Sequence, residues 1–209
     1  MGDEVMNSKI APPVLSGICL LAMFLSGCMS HRTVEKELAQ CPEYFRNNIG
    51  QVKIEPLSPL GVIFKGYVSV KDKDGPIHLL PLADRDTVLE EAFHSFELRA
   101  GHNRPREWER FYHDFHSDGT TYKNYGGLLA SLAIANIPFL DKMPVSGKTN
   151  FHGTVSHFED TAGCFVFMMK GRRTNDPVLL RKCEAVRKFI TGQVSDDFAD
   201  ASETKPRSS

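Results

Sequence analysis

The chain has 209 residues, 41% of them hydrophobic and 14 of them Phe, enough apolar material for one domain with a real core. Its 25 Lys and Arg against 26 Asp and Glu leave a net charge of -1, which excludes a broad nucleic-acid-binding face and a polybasic grip on anionic lipid, since both need a surplus of cations. None of the five cysteines, Cys19, Cys28, Cys41, Cys164 and Cys183, forms a C-x-x-C pair, so neither a zinc knuckle nor a thioredoxin-type site is indicated.

The first element is the apolar run VLSGICLLAMF at 14–24. It has the length of a signal h-region and falls short of the roughly 20 residues that a membrane-spanning helix needs. Lys9 is the only cation before it, and Asp3 and Glu4 fit a positive leader poorly; a start at Met6 would remove them. The run ends in Leu25-Ser26-Gly27-Cys28. This resembles the lipobox of bacterial lipoproteins, in which a Leu and two small residues precede the Cys that is modified. The resemblance covers only residues 1–28. It implies a signal peptide at 1–27, removal of that peptide, and a covalent lipid on the Cys28 thiol and amine. Two or more acyl chains anchor stably where one does not. Met29, not Asp, follows Cys28; in the lipoprotein class an Asp there commonly retains the protein in the inner membrane, so the resemblance implies the outer membrane, facing the periplasm.

The mature chain then reads as a tether at 28–33, a globular domain at 34–194 and a charged, Ser-rich disordered tail at 195–209. A short helix is expected from Thr33, interrupted by Pro42 and ended by Gly50. Residues 61–82 read as a β-hairpin turning at KDKDG, with Val62, Phe64, Tyr67, Val68 and Val70 as strand formers and a kink near Gly66. A helix follows at 84–101, capped by Asp84 or Asp86, with Val88, Leu89, Ala92, Phe93 and Phe96 as its apolar stripe and Gly101 as its stop. Trp108, Phe111, Tyr112 and Phe115 fall at i, i+3, i+4 and i+7 and predict a second helix. The stretch 128–140 is apolar nearly all round and predicts a buried or partner-facing helix. Residues 148–160 and 163–171 read as adjacent strands joined by a turn at 160–163. A last helix starts at an Asn175 or Asp176 cap with Pro177 in its first turn, and buries Leu179, Leu180, Cys183, Val186, Phe189 and Ile190. Together these predict a single α+β domain, an antiparallel sheet with helices packed on one face.

Candidate chemistry is sparse. Cys164 and Cys183 are the pair expected to form a disulfide in an oxidising compartment, tying a strand to the helix after it; the alternative is that Cys41, Cys164 and Cys183 are all small buried hydrophobes. Glu109, His113 and His116 share a helical spacing and could offer metal ligands, with His152 or His157 as a fourth, although this segment lacks the H-E-x-x-H order. Tyr122 and Tyr125, in a Gly-rich loop, suit an interface. GKT at 147–149 lacks the first glycine of a P-loop, and Ser146 and Ser156 have no nucleophile elbow around them. No catalytic residue and no cofactor beyond the lipid on Cys28 is assigned. The expectation is a lipid-anchored envelope protein whose periplasmic domain binds another envelope protein, as in a cell-surface or secretion assembly. A metal-dependent enzyme or metal-binding protein using the histidines, and a periplasmic small-ligand binder, are the alternatives.

Overall fold

The computed structural model describes residues 29–56, 65–69, 71–81, 83–117, 119, 122, 145, 147–149, 153 and 156–193. Cys28, the signal segment, Tyr125, the apolar stretch 128–140, His152 and the tail 195–209 lie outside the described residues. Within them the chain is α+β. Its elements are α1 (His31–Leu38), α2 (Glu43–Arg46), β1 (Val52–Ile54), β2 (Gly66–Val68), β3 (Ile77–Leu79), α3 (Arg85–Asn103), α4 (Pro105–Phe115), α5 (His157–Met169) and α6 (Pro177–Ile190). None of these helices is long and apolar enough to cross a membrane.

From Met29 onward, the stretch expected as a tether at 28–33 is folded. Ser30 caps α1 by accepting from the Thr33 N–H at 3.2 Å, and Met29 is buried, its N–H donating to the Pro81 carbonyl at 3.4 Å. The sequence Ser-x-x-Thr supplies a cap where a linker was expected. Pro42 does break the helical stretch, and α2 starts just after it.

The sheet is mixed, not antiparallel. Its order is β1-β3-β2; β2 pairs antiparallel with β3 as the expected hairpin, while β1 runs parallel to β3 with Val52 opposite Ile77. β1 escapes a pattern search because the alternation of Val52-Lys53-Ile54 is only three residues long, too short a run to signal a strand. The hairpin is tied to α3 through Ser95, whose Oγ donates to the Gly75 carbonyl at 2.5 Å and accepts from the Gly50 N–H at 2.8 Å. A Cβ on Gly50 would collide with that same Gly75 carbonyl, so the junction requires glycine.

α3 is the hub, packing on α1, α4, α5, β2 and β3. Asp84 is its cap, accepting from the Thr87 N–H at 2.8 Å, and the expected stripe from Val88 to Phe96 is buried. Gly101 does not end it. The helix runs to Asn103 and stops at Arg104, because the following Pro105 drives the residue before it out of the α region (φ -140°, ψ 56°). The core is a phenylalanine cluster: Phe45, Phe93, Phe96, Phe111, Phe115, Phe165 and Phe189 are each no more than 1% exposed. Phe45 stacks on Phe165 at 4.8 Å and Phe111 on Phe189 at 4.1 Å, each such ring contributing roughly 2–3 kcal/mol by burial.

The largest departure is α5. The end of the first strand expected across 148–160 and the whole body of the second, expected at 163–171, form one helix from His157 to Met169, while residues 150–152, 154 and 155 lie outside the described residues. Ser156 caps it, its Oγ accepting from the Glu159 N–H at 3.3 Å, and Glu159 and Asp160 fill its first turn. Serine followed three residues on by glutamate is a capping-box start, and an apolar run after it fits a buried helix as well as a central strand. On α6, Asp176 and Pro177 start the helix as expected, but Leu180 is 51% exposed while Lys182 is fully buried.

Candidate metal centre

The packing of α5 on α3 creates a polar seam inside an otherwise apolar interface. On α3, Glu90, His94 and Glu97 follow one another at i, i+4 and i+7, so they share a face. On α5 the facing residues are His157, Glu159 and Thr161. At one end of the seam Glu90, His94 and Glu159 converge. Each offers one ligand atom, and the three atoms lie within 4.8 Å of one another. A tetrahedral zinc site with bonds of 2.0–2.1 Å separates its ligand atoms by about 3.3 Å, so modest side-chain adjustment closes a cation between them. His94 Nε2 already lies 3.6 Å from Glu159 Oε2, with both side chains about four-fifths buried (18% and 22% exposed).

Glu91 follows the first of these ligands. Its side chain lies against β2, where a Cβ on Gly66 would come within 2.8 Å of Glu91 Cγ. Glycine at 66 is therefore what lets the carboxylate stand there. Burial raises the Glu91 pKa to about 8, with the charges of Glu90 and Glu159 adding to the rise and His94 opposing it. Burial also works against charging His94, but the hydrogen bond and charge of Glu159, with Glu91 and Glu90 behind, outweigh it and hold its pKa up to about 10. Three carboxylates around one imidazole make this a place that favours a cation.

The residues 90–94 read Glu-Glu-Ala-Phe-His. This is the spacing of H-E-x-x-H with a carboxylate in place of the first histidine. Sequence reading that looked for paired histidines passed over it, and Glu159, far along the chain, could not be joined to it without α5. The histidines singled out from sequence do not assemble. Glu109 is exposed and the His113 side chain is 71% exposed on α4. His116 and His157 do meet, with ring centroids 5.5 Å apart, but His157 Nε2 is 3.2 Å from Glu97 Oε1 and His116 Nδ1 is 2.8 Å from the Tyr112 carbonyl. His157 sits in the first turn of α5, not on a strand. Burial lowers the His116 pKa, and its Nε2 is buried without a partner.

A second polar cluster lies deeper. The fully buried Asp160 receives on Oδ2 the Lys182 Nζ at 2.7 Å, the Lys148 Nζ at 3.0 Å and the Tyr122 hydroxyl at 3.0 Å. Lys182 Nζ also donates to the Gly147 carbonyl at 3.0 Å, and Lys148 Nζ lies over the Tyr122 ring at 4.0 Å. Burial lowers the Lys148 pKa. The hydroxyl of the half-buried Tyr122, a residue expected at an interface, is thus part of this cluster. Cys41, Cys164 and Cys183 are all free thiols. Cys164 and Cys183 are neighbours that share a hydrogen bond and are not bonded as the expected disulfide. Burial pushes the Cys164 thiol well up, while the hydrogen bond from Cys164 draws the Cys183 thiol down. The physical reason for the contact is helix against helix, α5 on α6, rather than the strand-to-helix tie inferred from sequence.

No known protein family, curated protein or solved structure matches the chain. The fold defines the class, a single α+β domain, and the seam between α3 and α5 supplies the only three-ligand convergence among the described residues.

Proposed function

We propose that the chain is a lipid-anchored envelope protein whose domain holds a divalent cation between α3 and α5 and uses it for hydrolysis. The observation that carries the metal reading is the convergence of Glu90, His94 and Glu159 within 4.8 Å. The Leu25-Ser26-Gly27-Cys28 stretch supports the anchor. A cation held there supplies Lewis acidity and lowers the pKa of water to near neutrality. The chain's own part is then divided. Glu90, His94 and Glu159 would hold the cation, and Glu91, for whose side chain Gly66 leaves room, would be the carboxylate to take a proton from the water such a cation activates. Glu97 accepts from His157 and Thr161 and so fixes the packing of α5 that presents Glu159. Two carboxylates and one imidazole form an oxygen-richer set than two histidines and a glutamate, which widens the choice of cation from zinc toward manganese.

Metal analysis of the purified protein tests this. One bound divalent ion per chain is expected, with loss of that ion in Glu90→Gln, His94→Gln and Glu159→Gln and retention in Glu91→Gln. An equal metal content in the wild type and all four variants would remove the site.

A second reading, that the domain binds another envelope protein, draws on one feature: Tyr112 and Phe158 are 38% and 43% exposed and both rings lie against His157. Exposed aromatic pairs suit interfaces. In-cell crosslinking from position 112 that captures one stoichiometric partner would favour it, and capture of nothing would set it aside.

A further inference from the structure

We infer that the domain lies directly on the bilayer, on the face where α1, the Pro81 turn and the start of α3 meet, instead of hanging from a tether. This rests on the proposed acylation of Cys28. The argument is about chain length. Cys28 precedes Met29, and consecutive Cα atoms are about 3.8 Å apart. Met29 is buried and its N–H is bonded to the Pro81 carbonyl at 3.4 Å, and Ser30 is already the cap of α1. No residue between the acylated position and the folded domain is left to act as a spacer. A diacylated or triacylated cysteine sits at the headgroup level, so this corner of the domain sits there too.

The same corner carries an interface of suitable character. Arg85 is 61% exposed and reaches Glu37 at 3.3 Å; Lys65 pairs with Asp84 at 2.7 Å; Lys170 and Arg172 reach Asp86 at 2.8 and 3.4 Å. Four cations stand among three acids there, with Arg32 and Lys36 on α1 against Glu35. This mild excess is too small to bind a membrane alone and sufficient to suit an anionic headgroup layer once the lipid holds the domain down. A consequence follows for the metal site. α3 starts at this corner, and at about 1.5 Å per residue His94 is about 15 Å along the helix from the Asp84 cap. The site would stand close above the headgroups and would act on substrates presented at the membrane surface.

The test uses the full chain in its own membrane. A photo-activatable amino acid replaces Arg85 at the anchored corner or the exposed Asn103 at the opposite end of α3, and the protein is irradiated and examined by mass spectrometry for phospholipid adducts. Cys28 acylation is read in the same spectra. The expected result is acylated Cys28 with several-fold more lipid adduct from position 85 than from 103. Inserting a flexible Gly/Ser segment between Cys28 and Met29 should abolish that difference while leaving acylation intact. An acylated protein whose adducts at 85 and 103 are equal, or unchanged by the insertion, overturns the membrane-seated orientation alone. An unacylated Cys28 overturns the anchor and the orientation together.

Discussion

Two charged clusters share helix α5, one against α3 and one against α6, and they are built on opposite terms. Around Asp160, one fully buried carboxylate is met by two lysines and a tyrosine hydroxyl, all on a single oxygen. Around His94, the side chains of Glu90, Glu91 and Glu159 crowd one imidazole at partial exposure. The first arrangement is closed by its own cations and fixes where α5, α6 and the 147–149 segment meet. The second has more negative charge than its own side chains balance, and a divalent ion would balance it. Burial depth ranks the Asp160 cluster first; the sign of the charge left over is what singles out the other as a candidate cation site.

The largest expected effects come from breaking the closed cluster. Asp160→Asn leaves two buried ammonium groups facing a neutral amide, and should cost about 3–5 kcal/mol in chemical denaturation. Asp160→Leu combined with Lys148→Met and Lys182→Met removes the three charges together and should recover most of that loss; a triple variant as unstable as the sum of its parts would show that the cluster does more than hold helices. The open cluster should respond in reverse. In metal-free protein, Glu90→Gln relieves like-charge crowding and should leave stability unchanged or slightly raised. With manganese or zinc added at about a hundred times the dissociation constant, the wild type should gain roughly 2.7 kcal/mol and Glu90→Gln should gain little. Equal shifts in both proteins would place the ion elsewhere.

Much of this architecture was legible in the sequence, and the parts that were not share a cause. The stripe of α3, the face of α4, the Asp176-Pro177 start of α6 and the β2–β3 hairpin follow from local patterns that tertiary packing did not override. α5 was misread because an apolar run of that length suits strand or helix equally, and the deciding signal, Ser156 with Glu159 three residues on, is small beside it. That single misreading hid the candidate metal centre. With 148–160 drawn as a strand, Glu159 had no reason to approach α3, and Glu90-Glu91-Ala92-Phe93-His94 remained an ordinary helical stretch. It also put His157 on a strand, when it is in the first turn of α5.

A smaller effect sharpens the division of labour inside the open cluster. Gly66→Ala would bring a methyl group within 2.8 Å of Glu91 Cγ and 3.1 Å of Thr87 Cγ2. The glutamate must move, at a cost of about 1–2 kcal/mol for the overpacked contact. If Glu91 is the base and not a ligand, metal content should hold at the wild-type level while hydrolytic turnover of any substrate found falls as it does in Glu91→Gln. A variant that loses its metal instead would make Glu91 part of the cation's cage.

The smallest effect lies at the border of the closed cluster, at His116. Its ring faces Tyr112, Phe115, Tyr122 and His157, with Lys182 and Asp160 close enough to act on its charge. Burial comes first in lowering its pKa, and the positive fields of His157 and Lys182 add to the shift, against the Tyr112 carbonyl and Asp160. An imidazole whose folded pKa lies below the ordinary value of about 6.5 binds fewer protons in the native state than in the unfolded chain. Its contribution to stability is therefore complete above that ordinary value and declines as pH falls toward the folded pKa. The stability difference between wild type and His116→Gln, followed by denaturant titration from pH 8 to pH 5, should shift against the wild type on the acid side. A difference that stays flat would mean that protons reach His116 as freely as they do in water, and that the closed cluster ends short of it.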